Sequence, residues 1–408
     1  MDRAKRCGRL GWEFDSPRGH NLFTSMLNRY FQYFYSKLFT KSYDYGRWRE
    51  QNFKLQKITL PKTSLTKNLE KLCDKKGGVL TFGEFISEEM FGENGYYKTH
   101  KDFGKTPVAR TWPKAILSLC RKYSLNCVIE VGSGDGSLGK ETLKFAKKTN
   151  QDISWVGVEK NKSLWANINN NKPKNLSLSE SVSELKPQRS LTIFPYSLDS
   201  MPNEIIINNA LKTGVANSLI GIKIENGILE EVFLSESELK QKGIFFRNGV
   251  LRINGFSFDF SAWILHPNQR AYLPIKGFLT IIECVQKMKQ SSIMLIIDEM
   301  KVPPLASQAY HLGTPRILNS PIRDYDSLTE AYKNLGNNLW YFPMYLKPLL
   351  KLLKEAGFSD IRSDIEEKMA ANIKGGSWNK PGFFLCTSVV AKLSDISLKN
   401  SFKIPFPS

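Results

Sequence analysis

A short glycine-rich segment with two carboxylates, Glu130-Val-Gly-Ser-Gly-Asp-Gly136, is the part of the sequence best suited to hold a ligand. The apolar run 126–131 before it predicts a strand, and the pattern over 137–148 predicts a helix. Glycines between a strand and a helix allow a tight turn and let a ligand approach the backbone. The helix amino terminus would point at that ligand. We therefore predict a cofactor loop whose contributing residues are Glu130, Gly132, Gly134, Asp135 and Gly136.

The charge of this segment bears on which cofactor it holds. Gly134-x-Gly136-x-x-Gly139 also fits the dinucleotide fingerprint, with the acidic residue Glu159 at about the usual 20 residues further on. A pyrophosphate would be repelled by Glu130 and Asp135, whereas the sulfonium and ammonium groups of S-adenosylmethionine would be attracted. Glu159 can accept hydrogen bonds from ribose hydroxyls in either case. The carboxylates favour S-adenosylmethionine, and a nicotinamide or flavin dinucleotide or a turn without cofactor remain the alternatives.

Apolar runs alternate with helical patterns through much of the chain. Strands are predicted at 126–131, 153–158, 191–194 and 293–297. Such alternation is typical of an α/β fold with a parallel sheet. Between the last two strands, residues 218–260 contain alternating apolar positions and Asn-Gly turns at Asn226, Asn248 and Asn254, which predict an antiparallel meander. We expect a Rossmann-like sheet with an inserted antiparallel β region and an N-terminal helical extension.

The remaining segments set the expected domain boundaries. Residues 23–38 have apolar side chains at helical spacing, and the Lys-rich stretch 45–75 is typical of a linker or surface region. We expect five parts: an N-terminal extension, partly disordered with an amphipathic helix, at 1–75; the cofactor-binding half of the main domain at 76–202; an inserted substrate region at 203–290; the C-terminal half at 291–395; and a tail at 396–408.

Composition restricts the possible partners and compartments. The 408 residues include 58 Lys and Arg against 39 acids, a formal charge of +19 that favours an acidic partner such as nucleic acid, an anionic membrane or an acidic protein. A generally Lys-rich surface is the alternative, because no dense basic block is present. The 6 cysteines are scattered without a Cys-x-x-Cys pair, so we expect no metal and a reducing, cytoplasmic location. No apolar run approaches the ~18 residues of a membrane span.

Several motifs resemble, in the same order, those of the MidA family of methyltransferases, which includes the mitochondrial complex I assembly arginine methyltransferase. They are Phe82–Tyr97, Lys101–Pro107, the glycine loop with Glu159, Pro195–Pro202, Glu225–Val232, Asp298-Glu299-Met300 and Gly313-Thr314. The chain departs from the family after the fourth strand. It keeps Asp199 and Pro202 of the family's Asn-Glu-x-x-Asp-x-x-Pro, but Pro195 and Tyr196 replace Asn and Glu.

The resemblance implies a class I methyltransferase that uses S-adenosylmethionine and modifies an arginine-type nitrogen in a protein substrate. It implies that Asp199 positions the substrate and that Tyr96, Tyr97 and Asp102 close over the cofactor. Pro195-Tyr196 is similar to the Pro-Tyr of amino-methyltransferases, in which the aromatic ring stacks on a flipped base. An RNA or DNA methyltransferase therefore remains an alternative, as does a non-catalytic assembly protein that keeps the cofactor pocket.

Overall fold

The computed structural model describes residues 55–99, 108–165, 169, 172–207, 217–261, 270–301, 316–319, 323–324, 328–342, 344–375, 386–395 and 398–405. The amphipathic helix expected at 23–38, the lid residue Asp102 and the motif Gly313-Thr314 lie outside these residues. No helix in the described ranges is both long and apolar enough to cross a membrane.

Twenty-one strands, eleven α-helices and two 3-10 turns, Lys162–Leu164 and Val182–Glu184, are formed within the described ranges. In chain order, the strands are β1 Lys57–Thr59, β2 Leu80–Thr81, β3 Cys127–Val131, β4 Ser154–Val158, β5 Leu176–Ser179, β6 Leu191–Pro195, β7 Glu204–Ile207, β8 Ser218–Glu225, β9 Ile228–Phe233, β10 Ile244–Arg247, β11 Val250–Ile253, β12 Phe256–Asp259, β13 Arg270–Leu273, β14 Ile293–Lys301, β15 Arg316–Asn319, β16 Arg323–Asp324, β17 Asn338–Tyr341, β18 Met344–Tyr345, β19 Phe358–Ile365, β20 Cys386–Leu393 and β21 Ser401–Lys403. The α-helices are α1 Ser64–Lys75, α2 Phe82–Phe91, α3 Tyr96–Thr99, α4 Val108–Thr111, α5 Pro113–Lys122, α6 Ser137–Lys148, α7 Glu236–Gln241, α8 Ile275–Lys287, α9 Leu328–Lys333, α10 Leu346–Glu355 and α11 Glu366–Ile373.

The central sheet has the strand order β19-β20-β14-β6-β3-β4-β5. The five strands from β14 to β5 are parallel, whereas β20 is antiparallel to both of its neighbours. The chain builds outward from β3 through β4 to β5 and then returns to place β6 on the other side of β3. In open α/β sheets, ligands bind at the carboxyl ends of the strands where the order reverses in this way. The α/β prediction is confirmed, and the binding edge is expected between β3 and β6.

The local sequence explains the central strands. All five residues of β3 are buried, and the first five residues of β14 are fully buried apolar side chains. Continuous apolar runs of this kind are typical of parallel strands covered on both faces. Helices α5 and α6 cover one face, and α8 and α10 contribute to the core on the other.

Antiparallel strands fill the region between β6 and β14. One sheet has the order β1-β9-β8-β7-β13, and another has the order β10-β11-β12-β21. Strands β1 and β21 join these sheets from outside the region, and β21 is parallel to β12. In three tight turns, an Asn and the following Gly both have positive φ: 52° and 73° at Asn226-Gly227, 51° and 78° at Asn248-Gly249, and 50° and 78° at Asn254-Gly255. Two-residue hairpins favour this pairing because its twist matches that of the strands.

The linker interpretation of residues 45–75 is wrong for the part that the structure describes from Lys57 onward. Strand β1 pairs with β9, and α1 buries Leu65, Leu69 and Cys73, whose Sγ lies 3.8 Å from the carbonyl oxygen of Ile222 in β8. These three buried residues are spaced four apart, so they form an apolar stripe on a helix whose other faces are Lys-rich. The high lysine content concealed this stripe.

The helix expected from Lys162 begins with a 3-10 turn, Lys162–Leu164, and the residues described just after this turn, Trp165 and Asn169, are α-helical. One other boundary differs from the sequence-based expectation. The helix expected from Met344 begins at Leu346, because Met344 and Tyr345 pair with Met300 and Lys301 as an extra short strand.

Candidate functional site

The glycine loop lies at the carboxyl ends of β3 and β4. Gly132, Gly134 and Gly136 have φ values of 76°, 53° and 69°, and the backbone N–H groups of Gly132 and Ser133 donate to the carbonyl oxygen of Val158 at 2.8 and 3.1 Å. A Cβ atom at Gly132 would lie 2.7 Å from Cβ of Ser197, so a side chain does not fit there. The loop is thereby held close to both β4 and the end of β6.

The first acid of the loop motif, Glu130, is buried in the sheet. It is 2% exposed, and its Oε2 accepts a hydrogen bond of 2.9 Å from the indole Nε1 of Trp155. Burial raises the pKa of Glu130 to about 8, the indole bond opposes that rise, and the charges of Asp135 and Glu159 add to it. A cation bound nearby would favour the ionised form of this carboxyl group.

Asp135 and Glu159 already accept hydrogen bonds from the backbone groups that a phosphate would need. Ser137 N donates to Oδ1 of Asp135 at 2.9 Å, which satisfies one of the free N–H groups at the start of α6. Gly134 N donates to Oε2 of Glu159 at 3.0 Å, and Asn161 N donates to its Oε1 at 2.8 Å. Burial raises the pKa of Glu159 as well. The loop therefore has an acidic environment that opposes a pyrophosphate.

Two buried hydroxyl groups lie at the loop, Ser133 within it and Ser197 beside it. Oγ of Ser133 and Oγ of Ser197 have no hydrogen-bond partner within the described part of the chain, although the residues are only 5% and 7% exposed. A buried polar group without a partner is costly, and a ligand can supply the missing hydrogen bond. At Gly134, by contrast, a Cβ atom would meet nothing within 4 Å. Open space, two hydroxyls and three carboxylates fit a polar ligand that carries positive charge.

The two tyrosines expected as a lid lie next to the turn that follows β4. Nδ2 of Asn161 donates to the carbonyl oxygen of Tyr97 at 2.9 Å, and the Tyr97 ring stacks on Phe91 with 4.9 Å between centroids. Gly95 directly precedes this segment, and a Cβ atom added at Gly95 would lie 2.7 Å from the carbonyl oxygen of Glu89. Tyr96 contacts the Tyr97 ring edge to face at 5.7 Å. The structure thus brings this segment close to Glu159.

Asp199 lies in the turn after β6 and is 2% exposed. Asp298 directly follows the last residue of β14 that pairs with β6. Its Oδ2 accepts hydrogen bonds from Leu198 N at 2.9 Å and from Asp199 N at 3.3 Å. The carbonyl oxygen of Asp199 accepts a hydrogen bond of 2.5 Å from Phe342 N. The backbone of this turn is therefore fixed from two sides.

Tyr196 adopts a left-handed backbone conformation with φ 51°, and its N–H donates to the carbonyl oxygen of Ile297 at 2.7 Å. Its hydroxyl group donates to Oε2 of Glu366, the first residue of α11. Trp112 donates to the other oxygen of Glu366 at 2.9 Å. The Tyr196 ring is thereby attached to the core cluster that includes α5 and α6.

Sequence reasoning missed three residues of this site: Trp155, Asn161 and Ser197. The register of β3 and β4 pairs Glu130 with Gly157. Trp155 lies two residues before Gly157, so its side chain is on the same sheet face as that of Glu130. The only signal for Ser197 in the sequence is its position directly after Tyr196, a predicted substrate residue. Within the described ranges, no group of three or more His, Cys, Asp or Glu residues is arranged to hold a metal ion.

No protein-family model matches the chain, and no curated protein matches its sequence. Two solved structures from Burkholderia thailandensis are similar in fold. One is a protein described as uncharacterized, with 14% sequence identity and a TM-score of 0.58, and it covers 82% of this chain and 95% of its own. The other, bound to S-adenosyl-homocysteine and described as a methyl transferase candidate, has 13% identity and a TM-score of 0.56 over the same shares. The chain therefore has the fold of these two proteins over most of its length.

Proposed function

We propose that this chain is a methyltransferase that binds S-adenosylmethionine against the loop Glu130–Gly136. The observation that carries the proposal is the set of acidic side chains at the loop. Asp135 and Glu159 accept hydrogen bonds from backbone N–H groups of the loop and of the start of α6, and a bound cation would favour the ionised form of the buried Glu130. This environment stabilises a sulfonium and an ammonium group and opposes a pyrophosphate. The similarly folded protein bound to S-adenosyl-homocysteine supports the same interpretation.

The described residues offer partners for the amino-acid part and the ribose of the cofactor. The hydroxyl groups of Ser133 and Ser197 can donate hydrogen bonds to its carboxylate. The acidic loop can bind its ammonium group, and Glu159 can accept hydrogen bonds from its ribose hydroxyls. We infer that Tyr96, Tyr97 and Asp102 close over it, since Asn161 joins the Tyr97 segment to the Glu159 turn. When bound, S-adenosylmethionine supplies a methyl group on a sulfonium sulfur, which a nucleophile attacks in line. The work left to the protein is to orient the two reactants.

We infer a protein substrate that presents an arginine-type nitrogen, and this rests on the MidA-like motifs. Asp199 lies at the same sheet edge as the loop, and its turn is fixed by Asp298. A carboxylate there would hold a guanidinium group and aim its nitrogen at the methyl group. The hydroxyl of Tyr196 is engaged by Glu366, so Asp199 is the better candidate for the substrate contact.

The described cysteines favour a reducing compartment. Cys73, Cys120, Cys127 and Cys284 are buried free thiols. Because disulfides persist mainly in oxidising compartments, we propose a cytoplasmic location.

Cofactor identity is tested by thermal shift with S-adenosylmethionine, S-adenosyl-homocysteine, NAD and FAD. Ligand at 100 times its Kd stabilises the native state by about 2.7 kcal/mol. We expect a shift with the first two ligands only. Gly134→Ala should abolish it, since a Cβ atom there enters the open space beside the loop. Gly227→Ala is the matched control, because Gly227 also has positive φ and open surroundings but lies in the β8–β9 turn. A shift with NAD or FAD alone would contradict the proposal.

Substrate class is tested with methyl-labelled cofactor and a cell lysate. We expect labelled protein bands that protease removes and RNase does not. Asp199→Asn should lower the incorporation at least about tenfold while the thermal shift with the cofactor persists, which separates substrate positioning from cofactor binding. Label sensitive to RNase would favour a nucleic-acid methyltransferase. Cofactor binding without any transfer would favour a non-catalytic assembly protein.

A further inference from the structure

Helices α5 and α6 form a basic surface within the described ranges. Six exposed cations lie on these two helices, and the single acidic residue of either helix is Glu141. The cations are Lys114, Arg121 and Lys122 on α5 and Lys144, Lys147 and Lys148 on α6. The helices pack together against the same face of the central sheet. We infer that this α5–α6 surface binds single-stranded nucleic acid.

The charge on the α5–α6 surface is hardly neutralised by the protein itself. Lys144 lies 3.8 Å from Glu141, and the other five cations form no ion pair with any residue in the described ranges. Helix α1 is also Lys-rich, but there Glu70 and Asp74 lie between the lysines. An unneutralised basic surface gains affinity for a polyanion by releasing condensed counterions from its phosphates.

Aromatic rings lie among these cations. Nζ of Lys114 and Nζ of Lys148 are 5.5 and 5.8 Å from the centroid of the half-buried Phe145 ring. Nζ of Lys122 is 5.3 Å from the centroid of Tyr123, at the carboxyl end of α5. Half-exposed rings flanked by ammonium groups provide faces on which unpaired bases can stack while the cations contact phosphates.

The same features favour a single strand over other polyanions. A duplex keeps its bases stacked on one another, so its base faces cannot stack on Phe145 or Tyr123. A membrane-binding surface inserts protruding apolar side chains into the bilayer. The large apolar side chains that are exposed among the described residues, Ile228 and Phe245, lie in β9 and β10 rather than on this surface.

The α5–α6 surface is separate from the proposed cofactor loop. Helix α6 begins at Ser137, directly after the loop, and Lys148 is its last residue. At 1.5 Å per residue these ends are about 16 Å apart, so nucleic acid held by Lys147 and Lys148 would lie away from the methyl-transfer edge. Nucleic-acid binding is therefore independent of whether the chain binds S-adenosylmethionine.

The test uses the full chain and a fluorescently labelled, mixed-sequence RNA strand, with anisotropy measured over a range of salt concentrations. The triple variant K144Q/K147Q/K148Q should bind at least about tenfold more weakly. A plot of the logarithm of the association constant against the logarithm of the salt concentration should become less steep by about 2, because each lost phosphate contact lowers the steepness by about 0.7. The control K67Q/K71Q/K75Q removes three exposed lysines from α1 and should leave binding unchanged.

A second variant tests the rings. Phe145→Leu keeps an apolar side chain against the core but removes the stacking face. It should weaken RNA binding at least about fivefold and leave binding of heparin unchanged. If the triple variant does not fold, as judged by circular dichroism, the single variants Lys114→Gln and Lys147→Gln replace it.

Four results would overturn the inference. They are an absence of RNA binding at low salt, an equal loss in the α1 control, equal effects of Phe145→Leu on RNA and heparin, and tighter binding to phosphatidylserine-containing vesicles than to RNA. The last result would identify the surface as a membrane contact.

Discussion

The indole nitrogen of Trp155 donates a hydrogen bond of 2.9 Å to Oε2 of Glu130, so a side chain of β4 holds the carboxyl group that opens the glycine loop. Gly139 makes room for this contact, because a Cβ atom there would lie 2.7 Å from Nε1 of Trp155. The third glycine of the apparent dinucleotide fingerprint is therefore explained by the packing of α6 on an indole ring. A phosphate ligand is therefore not required to explain the glycine at position 139.

Trp155→Phe should destabilise the protein by about 1–3 kcal/mol, because it leaves a buried carboxyl oxygen without its donor while keeping an aromatic ring in the core. The free energy of unfolding from urea titration measures the effect. Trp165→Phe is the matched control, since Nε1 of Trp165 has no hydrogen-bond partner within the described residues. Equal losses in the two variants would show that ring size, rather than the hydrogen bond, decides the stability.

The burial of Glu130 should also make stability depend on pH. Its pKa is raised to about 8 in the native protein from an ordinary 4.5, so the native state holds the proton more tightly than the unfolded chain. The resulting stability is fully present below about pH 4.5 and is lost as the pH rises through 8. Burial raises the pKa of Glu89 to about 8 and that of Glu204 to about 7, which acts in the same direction.

Glu130→Gln should therefore flatten the decline in the free energy of unfolding between pH 5 and 9, by at most about 1.4 kcal/mol per pH unit. Its amide oxygen can still accept from Trp155. Glu141→Gln, at a half-exposed position of α6, should leave the decline unchanged. If Glu130→Gln has the slope of the native sequence, Glu130 is already ionised near neutral pH.

Ser197→Ala should affect ligand binding and not folding. The hydroxyl makes no hydrogen bond within the described chain, so its loss should leave the free energy of unfolding unchanged or slightly higher. If it contacts the cofactor carboxylate, affinity for S-adenosylmethionine should fall about 3- to 10-fold in calorimetry.

Ser388→Ala is the control for this experiment. Its hydroxyl is also buried without a partner among the described residues. Ser388 lies on β20, which is three strands and thus about 14 Å from β3, the strand that leads into the loop. A comparable loss of affinity in Ser388→Ala, or no loss in Ser197→Ala, would count against the proposed contact.

Local patterns were sufficient to predict the elements that carry the loop. Helix α6 spans the predicted residues 137–148, and the strands predicted before and after it lie within one residue of β3 and β4. Each of these elements has a continuous apolar run or a stripe that a short window reveals. The acidic surroundings of the loop could be inferred in the same way, because Glu130 and Glu159 lie at predicted strand ends and Asp135 lies just before the predicted helix.

Contacts between distant segments could not be inferred from the sequence. The role of Trp155 depends on the register between β3 and β4, and that of Ser197 depends on the return of β6 to the side of β3. The tether from Asn161 to Tyr97 joins residues 64 positions apart. No local periodicity encodes such pairs.

The pairing of Glu231 with Arg270 is another contact between distant segments, and both side chains are buried. Arg270 Nη1 and Nη2 donate to Oε1 and Oε2 of Glu231 at 2.9 and 2.7 Å, and the side chains are 3% and 0% exposed. Tyr332 donates to the same carboxylate at 2.8 Å, and so does Gln56 N at 2.8 Å. The pair therefore connects β9 and β13 with α9 and the segment before β1.

Arg270→Met should destabilise the protein by about 3–5 kcal/mol, because it leaves a buried carboxylate without its countercharge. The double variant E231L/R270M should recover part of this loss, since it removes the buried charge altogether. Full recovery is not expected, because Tyr332 and Gln56 N still lose their acceptor. Urea titration gives the three free energies of unfolding, and Arg247→Met, at an exposed position of β10, is the control. If the double variant is less stable than Arg270→Met, the carboxylate stabilises the sheet mainly through Tyr332 and Gln56, and the ion pair itself contributes little.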